Sequence, residues 1–271
     1  MNNKKKIIRV IIGIIIIFVL IPIGIITYDR VTVNNKYKIS ERQIYIPIFV
    51  YHDIVENESE IEFDYMQTTK DLFEKQVSGL KKLGYDFITY EELQKYKNNE
   101  IALKKKSCIL TFDDGFEGVY KNAYPIAQKY DIPFTMFIIT DNMDTENVIT
   151  WNQAKEMEES GLVTIASHSI DHPEFTSLTP EQALENVNKS YKIIEEKLGE
   201  KQVKVFTYPY GLYTEEQIEL LKKEGYIQNL TDNKINKSKN LDLYRLHRDY
   251  PLNDSLNKIC LKLKYRSIRY N

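Results

Sequence analysis

The sequence predicts an α/β fold: a distorted, incomplete (β/α) barrel of about seven parallel strands, preceded by one N-terminal transmembrane helix. Three observations carry this reading. Short β-rich apolar runs alternate with helical patterns from residue 44 onward, and such alternation implies parallel strands in an open sheet or a barrel. About seven strands, with no Gly-rich phosphate loop after the first, favour barrel-like closure. At the other end, the run from Val10 to Ile26 holds 17 residues without a charge, just enough to cross a bilayer at about 1.5 Å per residue.

Lys4, Lys5, Lys6 and Arg9 precede that run, so the N-terminus is expected in the cytoplasm and the rest of the chain outside the cell. A cleaved signal peptide would need small residues at its cleavage site, and "PIGIITYDRVTV" offers none in that pattern. The expected organisation is a basic tip and membrane anchor over 1–27, a polar stalk over 28–43, and one domain over 44–271. The expected location is the cell membrane, with a single pass. With four of the basic charges placed ahead of the anchor, the net charge of −2 becomes about −6 for the remainder. That balance argues against a nucleic-acid partner, which calls for a basic patch. Cys108 lies within an apolar strand-like run and reads as a buried, inert thiol. A disulfide with Cys260 is permitted outside the cell, but neither cysteine has metal-ligand spacing.

Expected strands cover 46–51, 86–90, 107–112, 134–139, 162–167, 203–208 and 226–231, with a last one near 243–247. Helices fit between them at about 69–83, 91–98, 118–130, 151–160, 179–198 and 214–224. The helix at 179–198 shows the reasoning. Thr179 is an N-cap, Pro180 suits the first helical position, and Gln182 completes a capping box. Leu184, Val187, Tyr191, Ile194 and Leu198 recur at three- and four-residue steps and form one apolar stripe. Gly199 can adopt the left-handed conformation that ends a helix.

In a parallel barrel, chemistry gathers at the C-terminal ends of the strands. Strand one ends at "YHD" (Tyr51, His52, Asp53), strand three at "FDDG" (Phe112 to Gly115), strand five at "SHSIDH" (Ser167 to His172) and strand six at "TYPYG" (Thr207 to Gly211). Three of the four histidines and an aspartate pair therefore fall at one end of the sheet. Taken singly, "DDG" and "YPYG" read as turns, and a His-x-x-x-His spacing is too short to be specific. Their succession at strand ends favours function.

At these positions "TFDDG", "SHSIDH" and "YPYG" resemble the first three motifs of the polysaccharide deacetylases, the NodB-homology or carbohydrate esterase family 4 enzymes. The resemblance covers about residues 44 to 250. The early "FVYHDI" resembles the branch that acts on poly-N-acetylglucosamine in biofilms, where the motif order is circularly permuted. The resemblance implies that Asp114, His168 and His172 hold one divalent metal ion, Zn²⁺ first, with Co²⁺ and Ni²⁺ as alternatives. It implies Asp113 as the general base, His52 as the acid, and the backbone N–H of Tyr210 as the oxyanion donor, since Pro209 has none. A zinc-bound water can have a pKa near about 7, which supplies hydroxide at neutral pH. The cation would also let two adjacent aspartates stay ionised together. Gly115 would give the turn that aims both at one cavity.

Two features depart from the family pattern. The arginine that many members carry at the start of the third motif is absent from "FTYPYG", leaving Arg245 or Arg248 to supply the charge. The late acid histidine is also unmatched: Leu246 is adjacent to His247, so the Leu-x-His spacing fails and His52 ranks above His247. Pro209, Gly211 and Trp151 are the substrate-binding candidates, and Phe63, Tyr65, Tyr210 and Tyr213 are further aromatics expected near the mouth. The implied partners are an extracellular N-acetylated glycan, either an exopolymer or peptidoglycan, and the lipid bilayer. A silent carbohydrate-binding protein of the same fold would be marked by loss of a ligand or base, and neither is lost. A zinc peptidase would need H-E-x-x-H, which the chain lacks.

Overall fold

The structure is a computed structural model that describes residues 45–231 and 234–269. The expected anchor and stalk, 1–27 and 28–43, lie outside the described residues. Among those described, no helix is long and apolar enough to cross a membrane.

Ten strands and seven α-helices follow in order: β1 (Ile48–Tyr51), β2 (Asp53–Val55), β3 (Gln67–Thr69), α1 (Lys70–Lys82), β4 (Asp86–Phe87), α2 (Tyr90–Lys97), β5 (Ser107–Phe112), α3 (Tyr124–Tyr130), β6 (Phe134–Ile138), α4 (Trp151–Glu159), β7 (Val163–Ser167), α5 (Pro180–Leu198), β8 (Val205–Thr207), α6 (Glu215–Lys223), β9 (Ile227–Leu230), β10 (Leu246–His247) and α7 (Leu256–Arg269). Seven strands run in parallel in the order β1-β5-β6-β7-β8-β9-β10, and the two-residue β4 joins the same sheet off this path by pairing with β5. Just past β10, Asp249 bridges back to Phe49 in parallel. Its N–H donates to Ile48 O at 2.7 Å and its carbonyl accepts from Val50 N at 2.9 Å. The sheet is therefore a nearly closed barrel of seven parallel strands, as the alternation of elements predicts.

The barrel interior explains the register. One buried cluster takes a residue from each of the seven strands: Ile48, Ile109, Phe137, Ala166, Val205, Ile227 and Leu246. Their strand neighbours Phe49, Leu110, Met136 and Ile165 belong to a second cluster, with Val77 of α1, Met157 of α4 and Ile194 of α5. This is the period-two alternation of a strand with one face on the axis and one under helices. Continued past the strand ends, the inward parity of Ile48, Ile109, Ala166 and Leu246 falls on His52, Asp113, His168 and Arg248.

Helix α5 forms for the expected reasons. The Thr179 side chain accepts from Gln182 N, the Gln182 side chain accepts from Thr179 N, and Pro180 opens the helix. Gly199 ends it at φ 89° and ψ 168°, a conformation open to glycine but outside the left-handed helical region expected. Elsewhere the local signals were overridden. The strand expected at 86–90 stops at Phe87, because Thr89 and Glu92 form a capping box that starts α2 at Tyr90. The helix expected at 118–130 is a π-turn over Val119–Ala123 followed by α3, with Pro125, which has no N–H, at the junction. The three-residue strands β2 and β3 and the terminal α7 were not expected from the sequence.

Candidate functional site

A cavity of about 440 Å³ opens at the C-terminal ends of the strands. His52, Asp113, Asp114, His168, His172 and Arg248 all line it. Asp114 Oδ1 lies 3.4 Å from His168 Nε2 and 3.6 Å from His172 Nε2. One ligand atom from each of the three lies within 4.8 Å of the others.

Local backbone geometry assembles this cluster. Asp113 points inward by strand parity, so its successor should point away. Asp114 is turned back because it adopts φ 69°, followed by Gly115 at φ 82°. The left-handed region is costly for a residue with a Cβ and is concentrated where structure over-determines it. Ser169 at φ 77° and His172 at φ 55° do the same after β7. Side chains pin that loop: Ser169 N donates to Ser167 Oγ at 3.1 Å, His172 N to Ser169 Oγ at 2.9 Å, and Ile170 N to Asn186 Oδ1 at 3.0 Å. His168 Nδ1 is 2.9 Å from Thr207 O. A carbonyl only accepts, so Nδ1 carries the proton and Nε2 offers its lone pair to the cluster.

The two adjacent aspartates sit in different electrostatic surroundings. Asp113 is buried, which raises its carboxyl, but Arg248 outweighs that and brings it to about 2. The guanidinium donates through Nη1 to Oδ1 at 2.7 Å and through Nη2 to Oδ2 at 2.8 Å. Asp114 has no such partner. Burial and the charge of Asp113 push it up to about 7, and its Oδ1 is buried without a hydrogen bond. Burial drives His168 down to about 3 and lowers His172 as well. A buried carboxylate oxygen without a donor, facing two neutral imidazole nitrogens, is a donor set that fits a divalent cation.

The remaining candidates divide. His52 lines the cavity, and burial lowers its pKa while Asp113 opposes the shift. Tyr210 stands in the turn after β8 at φ 56°, with its ring edge-on to His172 at 4.4 Å, and Gly211 lines the wall beside it. Pro209 opens that turn, is buried, and is not on the cavity surface. Trp151 does not line the cavity either. It opens α4, packs on the core, and carries Lys197 Nζ 5.9 Å over its ring. Tyr213 packs on Tyr208 at 5.4 Å. Tyr65 does line the cavity, and Phe63 sits 5.9 Å from it.

Arg248 supplies the charge beside Asp113, whereas Arg245 binds Glu215 at 3.0 and 2.6 Å on the outside. His247 lies between two inward residues and is not on the cavity lining. Tyr250, which sequence reasoning missed, stacks on His52 with ring centroids 6.4 Å apart. Its two-residue step from Arg248 was the signal that could have found it. Cys108 and Cys260 are both free.

This constellation, acids and imidazoles at the C-terminal mouth of a parallel barrel, defines a class of hydrolytic site. Residues 100–228 match the polysaccharide deacetylase domain. The chain is 31% identical over 209 residues to YxkH of Bacillus subtilis (strain 168), named provisionally as a polysaccharide deacetylase, covering 77% of this chain and 72% of that one. It is 33% identical over 166 residues to the poly-beta-1,6-N-acetyl-D-glucosamine N-deacetylase of Staphylococcus aureus (strain MSSA476), covering 56% of this chain and 57% of that enzyme. The solved Streptococcus pyogenes deacetylase PplD, in complex with acetate, superposes with a TM-score of 0.73 at 28% identity, over 82% of this chain and 99% of that one. The chain belongs to the polysaccharide deacetylase family. The domain match includes Asp113 through Tyr210 but neither His52 nor Arg248, which arrive from the strands on either side of the barrel seam.

Proposed function

We propose that this protein is a metal-dependent hydrolase that removes acetyl groups from N-acetylglucosamine residues of an extracellular polysaccharide, a poly-N-acetylglucosamine-type polymer or peptidoglycan. Residues 44–271 would form the catalytic domain, tethered outside the cell by the anchor in 1–27. The observation that carries the reading is the meeting of Asp114, His168 and His172 beside a second carboxylate, Asp113, held ionised by Arg248. The name of the Staphylococcus aureus relative supports the exopolymer.

Asp114, His168 and His172 would hold the cation, Zn²⁺ first because two borderline imidazoles and one carboxylate suit it. When bound, the cation supplies Lewis acidity to water and to the amide carbonyl. Asp113, kept ionised by Arg248, takes a proton from the attacking water. The backbone N–H of Tyr210 donates to the oxygen that gains charge as the carbonyl carbon becomes tetrahedral. His52, across the cavity and in its protonated form, delivers a proton to the leaving nitrogen as the C–N bond breaks. Acetic acid and the free amine leave, and transfer of the water-derived proton from Asp113 to His52 restores both groups.

The test is acetate release by the purified full-length chain in detergent, with Zn²⁺, from N-acetylglucosamine oligomers and from peptidoglycan. Release that disappears in Asp113→Asn is expected. No acetate from either polymer, or equal release by the variant, would count against the reading and leave a glycan-binding protein.

A further inference from the structure

The side of the barrel away from the cavity carries a surface of different character. Lys106 directly precedes β5, and its Nζ donates to Leu83 O at 2.7 Å, where the chain leaves α1 and turns toward β4. Burial raises the Cys260 thiol of α7 and the nearby Lys106 ammonium opposes that shift, so α7 lies alongside this strand entry. Further along α7, Arg266 holds Asp249 together with Tyr45, which stands three residues ahead of β1. Helix α7 therefore runs past the entries of β5 and β1, whereas the cavity opens at the strand exits.

Ile259 and Leu263 of α7 are buried in the core. At 3.6 residues per turn, the opposite side of the helix presents Leu261 and Tyr265, 67% and 58% exposed. Lys258 and Lys262 follow one flank of this apolar pair and Lys264 the other. The helix, Leu256–Arg269, contains five basic residues and no acid. Asp254, just ahead of it, pairs with Lys258 and Lys262. Lys82 and the run Lys104 to Lys106 add positive charge where α1 ends and β5 begins, with Lys104 paired to Asp86. The cavity end is the reverse: Glu56, Glu58, Glu60, Glu62 and Asp64 punctuate the loop between β2 and β3, with no basic residue in 56–66.

We propose that the outer face of α7 is a docking surface for an anionic phospholipid bilayer, and that it seats the domain with the cavity turned away from the lipid. The inference goes beyond the deacetylase reading and rests only on the membrane tether proposed with it. Exposed apolar side chains rimmed by charge mark an interaction surface, and the chemistry here selects lipid. Leucine and tyrosine side chains enter the boundary between headgroups and acyl chains, and flanking ammonium groups meet the phosphates. The acidic loop at the other end is repelled by the same phosphates, so the two ends of the barrel favour one orientation. The chain enters the described domain at Tyr45, on the α7 side, and the tether joins it there. A tethered domain needs only weak contacts to stay seated, because the second binding event is intramolecular.

The test is hydroxyl-radical footprinting, read by mass spectrometry, of the full-length chain in detergent and in single-chain nanodiscs of phosphatidylglycerol or phosphatidylcholine. Labelling of Leu261 and Tyr265 is expected to fall by about threefold or more in phosphatidylglycerol discs and much less in phosphatidylcholine discs. Phe63 and Tyr65, exposed at the cavity end, should label equally in all three. Leu261→Glu, at an exposed position, should restore labelling of Tyr265 in phosphatidylglycerol discs while leaving the denaturant unfolding curve unchanged. Equal labelling of Leu261 and Tyr265 in both bilayers, or protection of Phe63 and Tyr65 instead, overturns the proposal. Protection that appears in detergent and grows with protein concentration assigns the face to a second copy of the chain and also overturns it. Retention of the chain by the discs is scored separately, so failure of the tether appears as unbound chain and failure of the docking face as bound chain without protection.

Discussion

Arg248 donates through both terminal nitrogens to both carboxylate oxygens of Asp113, at 2.7 and 2.8 Å, with each side chain almost wholly buried. The pair reaches across β1, because Asp113 follows β5 on one side of it and Arg248 sits on the segment that closes the sheet on the other. On the outer side of that segment Asp249 is held by Tyr45 and by Arg266 of α7. Arg248→Met should destabilise the fold by about 3–5 kcal/mol, because it strands a buried carboxylate. Arg248→Lys should recover part of the stability but little activity, since an ammonium cannot bridge both oxygens. Denaturant unfolding and acetate release on the same preparations test this, and wild-type turnover in the lysine variant would refute it.

The same pair sets an acid limit. The Asp113 carboxyl is lowered from 3.8 to about 2 in the folded chain. Its contribution to stability is thus fully present above about pH 4 and is lost as pH falls toward 2. Asp113→Asn should remove that part of the acid dependence. Unfolding curves for the two proteins that stay parallel between about pH 4 and 2 would contradict it.

Asp114 behaves in the opposite sense. Its carboxyl is raised from 3.8 to about 7 in the metal-free chain, so its contribution is favourable at low pH and turns against the fold as pH rises through that window. A cation removes this penalty and must displace the proton when the carboxyl holds one. Near pH 6, below the ionisation of a zinc-bound water, binding of Zn²⁺ should therefore release more protons from the wild-type chain than from Asp114→Asn, read from calorimetry in buffers of different ionisation enthalpy. Equal proton release by the two proteins at that pH would mean that Asp114 does not give up a proton to the cation.

Much of this arrangement was legible in the sequence. The alternation of elements implied parallel strands, their number and the lack of a Gly-rich loop favoured closure, and strand parity points His52, Asp113 and His168 at the axis. The convergence of Asp114 was not legible, because a non-glycine residue at φ 69° leaves no mark in the sequence. Gly115 was expected to make that turn, but it shares the task with Asp114. The choice of Arg248 over Arg245 was open for a different reason: the partner of Arg248 lies 135 positions away, and only closure of the barrel brings the two together. Trp151 misled because a helix-opening tryptophan reads equally as a platform or as packing, and here it packs. The strands β2 and β3 have three residues each, too few to show a period.

His52 and His247 make a direct comparison. His52 lines the cavity under the ring of Tyr250, while His247 lies off it, with its N–H donating to Asn236 Oδ1 at 2.8 Å. His52→Ala should lower kcat by about 10²–10⁴, the range for a lost general acid, and His247→Ala should stay within a few-fold. Turnover kept by the first variant and lost by the second would transfer the role.

Tyr210 separates backbone from side chain. Its φ of 56° is strained for tyrosine and free for glycine, and the neighbouring Gly211 is confined, since a Cβ there would lie 2.5 Å from Thr231 Cβ. If the contribution of Tyr210 to the reaction is its N–H, Tyr210→Gly keeps the donor, relaxes the backbone and loses only the ring against His172. Its kcat should remain within about tenfold of wild type, whereas loss of an oxyanion donor costs about 10²–10³. Gly211→Ala leaves every side chain of the cluster in place but forces the turn away from Thr231, and with it the N–H of Tyr210. A fall in kcat of about 10² or more is expected there, with KM little changed. Normal kcat in Gly211→Ala together with a collapse in Tyr210→Gly would assign the role to the phenol ring instead.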